Sequence, residues 1–119
     1  MSFRDLFEGM YRSDPSIRGG ALVGADGLVV EEWQVSRRPH DLPALCAEMG
    51  QFFKESGRIA GENGLGRAGE VLIAGDEGLV LVRRVTEEYL ILLVAEPDAV
   101  AGRCRYHLRQ GARRAKELL

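Results

Sequence analysis

Glu70–Gly75 (EVLIAG), Leu79–Val85 (LVLVRRV) and Tyr89–Ala95 (YLILLVA) stand back to back in the second half of the chain. Only the Gly75–Gly78 turn and Thr86-Glu87-Glu88 part them. Apolar runs this short, bounded by turn residues, read as strands, and tight turns join strands antiparallel. The central strands are apolar on both faces, so both faces of the sheet need cover. The run Pro97 to Leu119, rich in arginine, supplies one covering helix, with Pro97-Asp98 expected to open it. Val100 or Ala101, Cys104, Leu108, Ala112 and Ala115 recur at helical spacing on its buried side. Arg103, Arg105, Arg109, Arg113, Arg114 and Lys116 cover the remainder.

Upstream, Phe3, Leu6, Phe7 and Met10 mark a short amphipathic helix over residues 2–11. Ser13-Asp14-Pro15 ends it, since proline disfavours helix at the residue before it. Ala25-Asp26-Gly27 separates two β-prone runs, Gly20–Gly24 and Leu28–Gln34, as a hairpin turn would. The small residues of the first strand imply that something packs closely on it. From Asp41 the period changes to that of a helix running to residue 62, with Asp41 as cap and Asn63-Gly64 as stop. Its apolar face is wide: Leu42, Leu45, Met49, Phe52 and Ser56 form a stripe, with Cys46, Phe53 and Ala60 beside it. The expected fold is a single α+β domain, residues 1–119, of order α-β-β-α-β-β-β-α. It is a five-stranded antiparallel sheet with helices on both faces.

Composition narrows the function. The 119 residues carry 18 acids and 16 bases, a net charge of -2, where a phosphate-neutralising nucleic-acid binder is usually basic. Cys46 and Cys104 read as small buried hydrophobes, and His40 and His107 lack partners at metal spacing. Arg4, Asp5 and Glu8 break any secretory signal, and Leu90–Ala95 is too short to span a bilayer. A reducing cytoplasm is the expected setting, with no membrane insertion.

Catalytic and cofactor motifs do not assemble. Gly64-Leu-Gly66-Arg-Ala-Gly69 spells G-x-G-x-x-G, but between a helix and a strand, the reverse of a dinucleotide fingerprint. No P-loop occurs, and Ser13, Ser16, Ser36 and Ser56 lack a nucleophile context. Asp26, Glu31 and Glu32 read as solvated acids at a turn. No catalytic residue, cofactor or metal is expected. The arginines of the last helix have a plain reading, stems covering apolar surface, and a sharper one, an anion-binding stripe.

Two features suggest a partner. If Leu42, Leu45, Met49 and Phe52 pack on the sheet, Phe53 and Cys46 are left at the margin, to be buried by core packing or by another protein. The strand Glu70–Ala74 is apolar on both faces and, at a sheet edge, carries no lysine, proline or bulge to protect it. Pairing with its own copy across a two-fold axis would cover it.

GALVGADGLVV, GEVLIAGDEGLVLVRRV and YLILLVAEPDAVAGRCRYHLRQGARRAKELL together resemble the roadblock (dynein light chain 7-like) domain family, in its prokaryotic MglB-like type. Arg105, Tyr106, Leu108 and Arg109 fit the Arg-aromatic-x-Leu-Arg segment of its closing helix. The resemblance runs from about Gly19 to Leu119 and implies a roadblock/profilin-like three-layer sandwich. It also implies a homodimer joined through the first meander strands, with the second helices side by side. Val71, Leu72, Ile73, Ala74, Phe52 and Phe53 would then form the interface. Family members are non-enzymatic platforms for Ras-like small GTPases or light chains of dynein; the Ala/Gly/Arg-rich character here is prokaryotic, which sets dynein aside. The expected role is regulation of an MglA-like GTPase, with Met49, Lys54 and Arg58 as contact candidates. The alternatives are a structural subunit indifferent to nucleotide, and a small-molecule sensor, which the bulky meander leucines disfavour.

Overall fold

The computed structural model describes residues 1–35 and 40–119, so Ser36 lies outside the described residues. Its elements are α1 (Phe3–Ser13), β1 (Ile17–Gly24), β2 (Val29–Gln34), α2 (Leu42–Glu62), β3 (Glu70–Gly75), β4 (Gly78–Arg84), β5 (Tyr89–Ala95) and α3 (Ala101–Leu118). The five strands form one sheet in the order β2-β1-β5-β4-β3, every neighbouring pair antiparallel.

Strand alternation divides the interior in two. On β5, Ile91, Leu93 and Ala95 join Phe7, Leu22, Leu81 and Leu108 beneath α1 and α3. Leu90, Leu92 and Val94 join Ala21, Val82, Met49 and Phe53 beneath α2. Because β5 is central, every residue from Leu90 to Ala95 is buried. This is the cover on both faces that the apolar runs demand.

The glycines of β1 have an evident use. A Cβ at Gly20 would stand 2.5 Å from two ring carbons of Phe7, so the bare backbone is what lets the α1 phenylalanine lie on the sheet. Pairing with β5 starts at Ile17, three residues before the expected strand begins, since Phe7 covers a stretch too poor in side chains to look like a strand. At the hairpin, Gly24 N–H donates to the Leu28 carbonyl at 2.8 Å, and Gly27 takes φ +87°. A Cβ on Gly27 would also meet the Ala47 Cα at 3.2 Å, so α2 packs closely on this turn.

Both ends of α2 follow local chemistry. The Asp41 carboxylate accepts from the Ala44 N–H at 3.1 Å, and the Asn63 side chain donates to the Ile59 carbonyl at 2.8 Å, ahead of Gly64 at φ +73°. The α3 start differs from expectation. Ala99 N–H bonds the Glu96 carbonyl at 3.0 Å in a turn through Pro97-Asp98, which delays the helix to Ala101 and leaves Val100 exposed.

The buried face of α2 is a second correction. Leu42, Cys46, Met49, Gly50 and Phe53 point inward, whereas Phe52 is 43% exposed. Spacings of 4, 7, 8 and 11 follow the helical period, and Phe52 lies roughly 80° off the line through Leu42. Phe53 and Cys46 are therefore core residues rather than marginal ones.

Cys46 and Cys104 are both fully buried free thiols. Burial first, then the charge of Glu32, pushes the Cys46 thiol up to about 11 from an ordinary 9.0. Burial and Asp14 raise Cys104 as well. Over the interval from 9.0 to about 11 the unfolded chain gives up the Cys46 proton and the folded chain keeps it. Stability from this group is thus whole below that interval and lost as pH rises through it. Denaturant midpoints measured at pH 8 and pH 10.5 should fall more steeply for the wild type than for Cys46→Ala; equal slopes would remove Cys46 from the account.

Candidate interaction surface

The outer edge of β3 is one of the two outer edges of the sheet, and the two differ in chemistry. On β2, Glu31 and Glu32 are exposed, and a register shift interrupts the pairing at Leu22/Val23. Charge and irregularity of this kind blunt an edge against further pairing. On β3 the register with β4 runs unbroken from Glu70↔Arg83 to Gly75↔Gly78, and Val71 to Gly75 carries no charge. Leu72 is 37% and Ile73 42% exposed, and Ala74 is exposed as well.

Register assigns these residues to faces. Val71 and Ile73 sit opposite Val82 and Val80, on the α2 side, and Val71 packs against the core beneath that helix. Leu72 and Ala74 sit opposite Leu81 and Leu79, on the α3 side. On α2 itself, Phe52, Ser56 and Ile59 continue one flank at helical spacing, and Ile59 is 47% exposed. Ile59 is the member of this flank that the sequence reading passed over, although its spacing of 7 from Phe52 was the available signal.

The start of β3 is anchored by charge. Glu70, nearly buried, accepts from Arg83 at 3.2 Å and Arg105 at 2.5 Å, with Arg109 at 3.7 Å. Only the acid is largely covered, since the three arginines are a third to a half exposed, so salt screens these pairs in part. They hold the first residue of the edge strand to α3 and leave the remainder of that edge uncovered. The sequence reading singled out these arginines but not their shared acid, 35 residues before Arg105.

The proposed contact candidates on α2 separate. Met49 is a core residue, 4% exposed, and offers no surface. Arg58 is exposed but held between Glu55 and Glu62, each on the same helix. Lys54 lines a cleft of about 340 Å³ together with Phe53, Arg84 and Thr86. There the Arg84 guanidinium lies 5.4 Å from the Phe53 ring centroid, a cation–π contact spanning helix and strand.

The glycine-rich segment joins α2 to β3, with Gly66 at φ +76°, and no helix follows it to receive a pyrophosphate. Among the described residues, no three His, Cys, Asp or Glu side chains gather as metal ligands, and no helix is long and apolar enough to cross a membrane.

No protein-family model matches the chain, and no curated protein does so. Solved structures match its fold closely. An MglB in a tetrameric arrangement superposes with TM-score 0.88 at 20% identity, over 97% of this chain and 85% of that one. The gliding protein MglB of Thermus thermophilus gives 0.87 at 19% identity, over 97% and 86%. A Roadblock/LC7 domain from Streptomyces avermitilis gives 0.85 at 16% identity, over 97% and 95%. The fold is therefore that of a roadblock domain of MglB type.

Proposed function

We propose that this chain is a regulatory scaffold that forms a homodimer through β3 and binds a small Ras-like GTPase, shifting its nucleotide state. The observation that carries the reading is the contrast between the two sheet edges: β2 is blunted by Glu31 and Glu32, while β3 is regular, apolar and open. Antiparallel pairing of two β3 strands makes one continuous sheet, and Leu72 and Ile73 lose water from both copies at once. The fold likeness to MglB proteins, one of them solved in a tetrameric arrangement, supports both self-association and the class of partner.

In this reading the catalytic groups belong to the GTPase, and the protein works in the cytoplasm. A dimer surface that fits one nucleotide state better than the other shifts the population by its differential affinity and by nothing else. Phe52, expected at the dimer interface, and Ile59 on the same flank of α2 supply exposed apolar contact area, with Lys54 and Arg58 at its rim. Val71 and Ala74 complete the dimer interface; Phe53 supports it from the core.

The test is capture from host lysate on the immobilised protein, with GDP in one arm and a non-hydrolysable GTP analogue in the other. A small GTPase retained in one arm only is the expected result. Retention of the same partners in both arms would replace this reading with a structural subunit indifferent to nucleotide.

A further inference from the structure

Charge is unevenly distributed over this chain. It is net -2 overall, yet α3 carries six Arg and Lys residues against the single acid Glu117. Part of this excess is spent on Glu70, which engages Arg83, Arg105 and Arg109. Arg113 and Lys116, one and two turns further along α3, are exposed and form no ion pair among the described residues.

These side chains enclose a space. A cleft of about 180 Å³ lies between the end of β4 and the last turns of α3, walled by Arg83, Arg109, Arg113 and Lys116 over a floor of Val85 and Ala112. Among the described residues no carboxylate lines it, and Glu70, next to it, is engaged by Arg83, Arg105 and Arg109. Arg84 also borders the cleft, but its guanidinium lies against the Phe53 ring beneath α2, on the other face of the sheet. Four cationic residues from two elements therefore line one small concavity: Arg83 and Arg109 share Glu70, while Arg113 and Lys116 keep their charge unpaired among the described residues.

We propose that this cleft is a binding site for a phosphate group, mono- or diphosphate. Its volume falls below the roughly 300 Å³ at which pockets for drug-sized ligands begin, which suits a small anion. Guanidinium forks match phosphate oxygens two at a time, and Lys116 adds a mobile point charge. Cations near the C-terminus of α3 also sit favourably in the helix dipole, so the site costs the fold little when empty. An acidic protein segment would call for an open, extended stripe; convergence from both β4 and α3 favours the compact anion.

The phosphate can arrive free or on a lipid headgroup, and two arms separate these sources. In the first, inorganic diphosphate is titrated calorimetrically at physiological ionic strength. In the second, the protein is sedimented with vesicles containing phosphatidic acid or with neutral vesicles. The double variant Arg113→Gln/Lys116→Gln should weaken binding at least about tenfold in whichever arm responds, as expected for lost charge-assisted hydrogen bonds. The control Arg103→Gln/Arg114→Gln removes equal charge from α3 outside the cleft and should leave binding unchanged. Silence in both arms overturns the proposal, as does an equal loss in the control, which would reduce the effect to net charge. Binding of an acidic peptide with silence in both arms would also overturn it.

Discussion

Phe53→Ala is expected to destabilise the folded protein by about 3–5 kcal/mol, and the same change at Phe52 by less than about 0.5 kcal/mol. The two residues are neighbours in sequence and identical in chemistry, so the difference isolates position on the helix. Phe53 is 6% exposed among Met49, Val82 and Leu92, and it carries Arg84 on its ring face. Truncation removes the transfer term, opens a cavity between α2 and the sheet, and leaves Arg84 without its aromatic platform. Phe52 is 43% exposed and belongs to neither core cluster. Denaturant unfolding at low protein concentration, where self-association contributes little, reads both values. Equal losses, or a larger loss at Phe52, would mean that α2 is rotated from the orientation described. The converse readout is partner capture: Phe52→Ala should lose the GTPase while its monomer stability is unchanged.

That pair also shows where sequence reasoning stops. The periodicity of residues 42–62 establishes a helix with a wide apolar face, but a wide face leaves the contact line undetermined by tens of degrees. Leu42 and Met49 suit either line, and only the sheet, reached by way of Gly27 and Gly50 in close contact, selects the one through Cys46 and Phe53. Met49 was legible both as a residue that packs on the sheet and as a contact candidate, and only its burial in the structure decides for the first. The meander was legible to within a residue at its strand ends because short β-prone runs are parted by Gly75-Asp76-Glu77-Gly78 and by the polar Thr86-Glu87-Glu88. The edge position of β3 was legible only conditionally: it depends on β5 pairing with β1, a contact between residues some seventy positions apart in sequence. The same distance problem hid Glu70, whose partners are spread from β4 to α3. Nothing in EVLIAG marks its first residue as the acid for three arginines.

Ile73→Lys is expected to convert the protein from dimer to monomer while the monomer fold survives. Ile73 is 42% exposed on an edge strand whose backbone register with β4 is regular, so a lysine there can reach water without disturbing the ladder. In a dimer paired through β3 the same residue is enclosed, and two-fold symmetry counts every change twice. Each copy forfeits part of the roughly 1.5–3 kcal/mol that burying an isoleucine provides, and each must desolvate an ammonium group near its counterpart. A penalty of about 3 kcal/mol or more follows, which weakens association by a factor on the order of a hundred. Light scattering coupled to size exclusion, run as a concentration series, reads the result directly. A wild-type protein that is monomeric at tens of micromolar would remove the dimer from the functional reading. A variant that remains dimeric would place the interface elsewhere, and the β2 edge, with Glu31 and Glu32 on it, is the poorest alternative. Loss of GTPase capture together with the dimer would show that the partner reads a surface built from both copies. Diphosphate binding should persist in Ile73→Lys, because the cleft between β4 and α3 is complete within one chain. The two proposals can therefore fail independently.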